Sequence, residues 1–131
     1  MTLLRRAAAL LVALPPLRNR QRGEEVDKLD EPVKRAVDAA NANDIDAFLA
    51  SFTDDGVVDD WGREFRGAER IRGWSDNEFI GKQVALTVQT IRKHGDETTI
   101  TAQVGGNGYT GPSHFTFRVE GDRVSRMTIR A

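Results

Sequence analysis

No cysteine occurs in the 131 residues, so a disulfide scaffold, a thiolate metal site and a cysteine nucleophile are all excluded. Two histidines cannot supply a three-histidine zinc site within one chain. No apolar run approaches the ~18–20 residues that a membrane span requires. Charge of one sign is also missing: 19 Lys+Arg face 20 Asp+Glu, a net −1. That balance provides no basic field for nucleic acid and no acidic tail, so neither nucleic acid nor membrane is expected as a partner. What is left is one soluble domain with 39% hydrophobic residues, expected in the cytoplasm.

Charge is unevenly placed. Residues 1–28 hold six basic against three acidic residues (+3), while the remaining chain holds thirteen against seventeen (−4). An apolar stretch, Ala7 to Leu14, follows Arg5 and Arg6 but ends in Pro15-Pro16 where a cleavage site should be, which argues against an export signal. The first 28 residues are therefore expected to be a basic extension, disordered or not native to the fold. Residues 29–131 are expected to form the domain.

Asp30-Glu31-Pro32 has the residues that open a helix, and Val33, Val37 and Ala40 recur at helical spacing. Asp44 can cap a second helix with Ile45, Phe48, Leu49 and Phe52 as its stripe, stopped at Thr53-Asp54-Asp55-Gly56. Val57 to Trp61 reads as a short strand. A third helix follows Gly67, with Ala68, Ile71 and Trp74 on one face, and Ser75-Asp76-Asn77-Glu78 spells a capping box that predicts a break. Four β-rich runs complete the chain, at 83–93, 97–105, 113–120 and 123–130, with tight turns at Gly95-Asp96 and Gly121-Asp122. Helices first and antiparallel strands after predict an α+β domain.

Several motifs have chemistry to offer. Gly106-Asn107-Gly108-Tyr109-Thr110-Gly111 spells a dinucleotide fingerprint, but Pro112 and a strand follow it, so no helix N-terminus awaits a pyrophosphate. It is read as an inter-strand loop. Ser113 opens a strand and lacks the strand-to-helix turn of a hydrolase nucleophile. His94 belongs to a turn, and His114 lies on the opposite strand face from Phe115. Asp59 and Asp60 stand inside a β run, where aspartate is disfavoured. Adjacent strand residues face opposite sides, and period two with Val58 selects Asp60 as the inward one. An inward carboxylate is costly unless paired, protonated or functional. Trp61, Trp74 and Phe79 are either core aromatics or the lining of a small-molecule pocket.

Taken together, the helix pair ending in Phe52-Thr53-Asp54-Asp55-Gly56, the segment Val57-Val58-Asp59-Asp60, Phe65-Arg66-Gly67 leading to Ile71-Arg72-Gly73-Trp74, the strand His114-Phe115-Thr116-Phe117 and the closing Asp122 to Met127 resemble the nuclear-transport-factor-2-like superfamily, in its SnoaL-like branch. The resemblance spans about 31–131. It implies a cone: a strongly bent antiparallel sheet wrapped around the helix pair and third helix, with a central apolar pocket and dimer formation through the outer sheet face. Relatives include ketosteroid isomerases and polyketide cyclases, so the fold leaves the chemistry open. Aligned with the isomerases, their catalytic aspartate falls on Asp60. Their oxyanion tyrosine falls on Ala36, and their protonated aspartate on Ser113. Alanine cannot donate a hydrogen bond and serine is a weaker donor, so steroid isomerisation is not expected.

The resemblance implies a pocket for a compact apolar molecule, with Asp60 as proton acceptor and Trp61, Trp74, Phe79, Ser113 and Phe115 as ligand contacts. Any reaction would be a proton transfer of isomerase, cyclase, hydrolase or dehydratase type, with no cofactor and no metal. The alternative is a dimerising domain without activity, its pocket filled by its own side chains.

Overall fold

Local chemistry in residues 30–52 sets the entry to the fold. The computed structural model describes residues 28–131, so the expected N-terminal extension lies, but for Lys28, outside the described residues. Helix α1 (Glu31–Asn41) begins with Pro32 in its first turn and buries Val33, Ala36, Val37 and Ala40. Asp30 stands at its N-cap position, but its carboxylate reaches Lys93 (2.7 Å) rather than a helix N–H. Helix α2 (Ile45–Ala50) is capped as expected, with the Ala47 N–H donating to Asp44 Oδ1 at 3.1 Å.

This second helix ends before Phe52. The Ser51 hydroxyl donates back to the Phe48 carbonyl (2.6 Å), while the Ser51 carbonyl accepts from Val124 N (2.8 Å) and joins the sheet. Phe52 accordingly opens strand β1 (Phe52–Asp60), which is longer than the expected run, and its ring packs edge-on against Phe48. A two-residue turn then leads into a strand that periodicity did not mark, β2 (Arg63–Arg66).

Helix α3 (Ala68–Glu78) runs unbroken through the capping-box spelling. Ser75 is fully buried, and its Oγ accepts from Ile80 N (3.3 Å), so it secures the short 3-10 turn Ile80–Lys82 instead of starting a new helix. Strands β3 (Ala85–His94), β4 (Glu97–Gly105), β5 (Gly111–Glu120) and β6 (Arg123–Arg130) follow as an antiparallel meander.

The six strands form one open, mixed sheet in the order β2-β1-β6-β5-β4-β3. The expectation of a wholly antiparallel sheet needs correcting at one joint, because β1 and β6 pair in parallel. A long crossover through α3 and the meander separates them in sequence, and such a connection permits parallel pairing where a hairpin cannot. The helices cover one face. Phe115 and Phe117 alternate inward against them, whereas His114 and Arg118 face outward, exposed. Phe48, Ile71, Trp74, Phe79, Ile100 and Met127 belong to the same core.

Candidate functional site

Strand alternation divides the two aspartates. Val58 packs into the core, so Asp60 lies on the helix side and Asp59 on the outer side of the sheet. At the open end between the end of β1, the end of α3 and the β4–β5 loop lies a pocket of about 350 Å3, within the range of roughly 300–1,000 Å3 typical of small-molecule sites. Asp60 and Trp61 line it from the first hairpin. Trp74, Asn77, Glu78, Phe79 and Lys82 line it from α3 and the 3-10 turn, and Val104, Gly108, Tyr109, Ser113 and Ile129 from the later strands and their loop.

The Asp60 carboxylate is held on one oxygen. Oδ2 accepts from Trp74 Nε1 at 3.1 Å and from Arg63 Nη2 at 2.5 Å. Among the described residues none donates to Oδ1. Arg63 is across the hairpin register from Asp60, three positions on, and also grips Glu78 through two nitrogens at 2.7 and 3.0 Å. That guanidinium holds the Glu78 carboxyl below the usual carboxylate range against a smaller opposing push from burial. Glu78 in turn, with Asp60, raises Arg63 further above its already high value. The inward carboxylate is thus paired, and Arg63 is the partner; Arg66 turns instead to the Asp55 carbonyl (3.0 Å).

Trp74 stacks on Phe79 with centroids 4.8 Å apart and planes 24° apart, making a flat apolar wall beside the carboxylate. Ser113 is buried at the pocket, but its hydroxyl donates to the Arg130 carbonyl (2.9 Å), so toward a ligand it can only accept. Phe115 is not among the lining residues. It lies behind Phe79, ring centroids 6.4 Å apart, as core. Ala36 is buried on the inner face of α1 and takes no part in the lining. Trp61 is neither core nor enclosed: it is 61% exposed at the rim.

Asp59 is the more buried aspartate, 7% exposed although it faces outward. Arg126 (2.8 Å) and Arg130 (3.0 and 3.3 Å) cover it, and its Oδ1 also accepts from the Gly62 N–H (2.7 Å). The Arg130 hydrogen bond holds its carboxyl below the usual range, burial opposing and the Gly62 and Arg126 bonds assisting. Glu64, first, and Asp59 push Arg126 upward in return.

From the sequence either Arg63 or Arg66 could fold back onto Asp60, and Arg63 does; Glu78, Lys82 and Tyr109 were missed. The turn Trp61-Gly62 was the available signal for Arg63, since it folds a hairpin that sets residue 63 against residue 60. Nothing local announced Glu78, which arrives from a separate helix. Among the described residues no three His, Asp or Glu gather to hold a metal, and no helix is long and apolar enough to cross a membrane.

Comparison with solved structures finds the same architecture repeatedly. A Sinorhizobium meliloti protein provisionally described as a polyketide cyclase is 24% identical, with a TM-score of 0.71 over 80% of this chain and 98% of that one. A Catenulispora acidiphila protein with a ketosteroid isomerase-like fold, in complex with trimethylamine, is 24% identical (TM-score 0.66; 77% and 85% covered). A Mycobacterium tuberculosis protein in complex with estradiol-17beta-hemisuccinate is 17% identical (TM-score 0.65; 76% and 90% covered). At these identities the likeness is one of fold. Among curated proteins none matches the chain. The profile of the SnoaL-like domain matches residues 33–127, from the first turn of α1 into β6, and the chain therefore belongs to the SnoaL-like domain family.

Proposed function

We propose that this protein binds a compact apolar molecule in the pocket and that Asp60, through its free Oδ1, accepts a hydrogen bond or a proton from it. One observation carries the reading: a carboxylate fixed on one oxygen by Arg63 and Trp74, with the other oxygen uncommitted, stands in the wall of a pocket faced by Trp74, Phe79, Val104 and Ile129. Small-molecule sites combine apolar walls with a few placed polar groups. The bound trimethylamine and steroid ester of two structural neighbours are consistent with ligand binding by this fold. The open volume favours this reading over a pocket filled by its own side chains. We also propose a homodimer through the outer sheet face and a cytoplasmic location.

The test uses β-naphthol, which donates through its hydroxyl, against its methyl ether, which does not. The wild-type protein binds the naphthol more tightly. Asp60→Asn keeps an oxygen for Arg63 and Trp74 and turns an N–H2 toward the ligand, so naphthol affinity falls about tenfold, one hydrogen bond to a charged group, and the ether is unaffected. Equal affinities for the two probes in wild type and variant alike would remove Asp60 from the site.

A further inference from the structure

The glycine-rich loop that resembles a nucleotide motif has a different use in this fold. Gly106 has φ +122°, and a Cβ there would meet the Gln83 and Lys82 carbonyls at 2.7 and 2.8 Å, so the loop can lie against the 3-10 turn only with glycine at this position. Asn107 N donates to the Lys82 carbonyl at 2.7 Å and ties it down. At Gly111, φ +135°, a Cβ would stand 3.0 Å from the Tyr109 hydroxyl. That hydroxyl donates to the Pro112 carbonyl at 2.7 Å. The tyrosine ring is therefore laid over Gly111 and fixed at its tip, yet the residue stays 59% exposed at the edge of the pocket.

Trp61, which also lines the pocket, occupies the first position of the β1–β2 turn with φ +54°. A left-handed backbone is strained for a bulky residue and easy for asparagine or glycine, which normally fill such turns. The turn is nevertheless held fast: Trp61 N donates to the Ile129 carbonyl (3.3 Å) and Gly62 N to Asp59 (2.7 Å). Trp61 and Tyr109 are the exposed large hydrophobic residues among those described, and both border this pocket. Backbone strain that presents an exposed indole at a pocket mouth points to a function for that indole.

We propose that Trp61 and Tyr109 are specificity-determining residues, two aromatic jaws that stack on the outer end of a planar, aromatic or fused-ring ligand. The inference rests on the pocket being a ligand site, as proposed above, and adds the shape of what it takes. Stacking is sequestration of one π face by another, so it rewards flat ligands over globular ones of equal apolar area.

Trp61→Asn in the full chain provides the test, with β-naphthol and the cage alcohol adamantanol as probes. Both carry the hydroxyl that Asp60 would accept. The variant relieves the turn, so its thermal midpoint is expected to be unchanged or higher. Its naphthol affinity falls roughly threefold to tenfold, the scale of a lost aromatic contact, while adamantanol affinity moves less than twofold. Tyr109→Leu is expected to show the same split. In the wild type, naphthol shields Trp61 from acrylamide quenching; the chain has two tryptophans, and the difference from Trp61→Asn isolates this one.

Equal losses for both probes would overturn the jaws, and so would no loss for either. Shielding of Trp61 that rises with protein concentration instead of ligand would also overturn them, by assigning the indole to contact between copies. A naphthol response that depends on Asp60 and not on Trp61 would leave the pocket reading standing alone. Absence of saturable binding in the wild type would overturn both.

Discussion

Successive strand residues face opposite sides of a sheet, which gives Asp59 and Asp60 different partners and different work. Asp60 meets the pocket, whereas Asp59 ties the outer arginines to the turn that carries Trp61. Folding holds the Asp59 carboxyl below its ordinary value of 3.8, so its contribution to stability is complete above that pH. It fades as pH falls through the lower, folded value, where the native carboxylate at last protonates. Asp59→Asn should cost about 1–2 kcal/mol at neutral pH, because Arg126 and Arg130 are partly solvated and the loss is smaller than for a fully buried pair. Chemical denaturation at pH 7 and pH 3 checks this: the gap between variant and wild type narrows in acid, and a gap independent of pH contradicts the assignment.

At this scale the sequence was readable up to a point. Period two and the alignment both selected Asp60 for the inner face. Neither could say that its neighbour would be the more buried carboxylate, since that depends on Arg126 and Arg130, distant residues delivered by β6. Of the two readings of Trp61, core aromatic or pocket lining, the core one fails for a related reason: the residue lines the pocket from its exposed rim. Hydrophobicity ranks a tryptophan as buried, and only the turn geometry exposes it.

Among the elements, the strongest patterns were the easiest to read. β4 and β6 have the bounds that alternation predicts, and α1 begins where Asp30 and Pro32 suggest. The departures come where tertiary bonds outweigh local spelling. Ser75 spells a helix start but spends its hydroxyl on Ile80, and Phe52 has helical spacing but pairs with Val124 in the sheet.

Asn41-Ala42-Asn43 is another such case: two asparagines break the helical period, and in the structure the same residues act as a clasp. Asn41 donates to the Leu86 carbonyl (3.0 Å) and accepts from Leu86 N (2.6 Å), and Asn43 donates to the Val84 carbonyl (3.3 Å). The amide of Asn41 thus takes both main-chain groups of one residue on the edge strand β3, as a neighbouring strand would. Asn41→Asp keeps the acceptor but sets an oxygen against the Leu86 carbonyl, and should destabilise by about 1–3 kcal/mol. Hydrogen exchange at Leu86 should accelerate in parallel; unchanged protection there would mean that the edge is held by packing alone.

For the molecule as a whole, one face of the sheet is occupied by helices and the other presents mixed polar side chains. Thr99 meets Thr116 at 2.9 Å, Thr101 meets His114 at 3.0 Å, and Arg118 stands beside them. A surface of this kind, without a dominant charge, suits a two-fold contact in which each residue meets the same patch on its partner. Light scattering at micromolar concentration should return twice the chain mass, and Thr116→Arg should return the single mass. A single mass for the unaltered protein would dispose of the dimer while leaving the pocket untouched.

The α+β architecture was legible because helices precede strands and each strand run has its own turn signals. The parallel β1–β6 joint was not, since no local pattern encodes which distant strand lies alongside.

The central claim is that the pocket beside Asp60 and Trp74 takes an apolar ligand, and the Trp74 indole N–H reports on it directly because it is bonded to that carboxylate. A proton–nitrogen correlation spectrum followed through a β-naphthol titration therefore provides the most direct measurement. The account predicts a saturable shift of the Trp74 indole signal, accompanied by the amides of Val84, Val104 and Ile129. Shifts confined to the outer face around Thr116 and Arg118, or no saturation at Trp74, would contradict it.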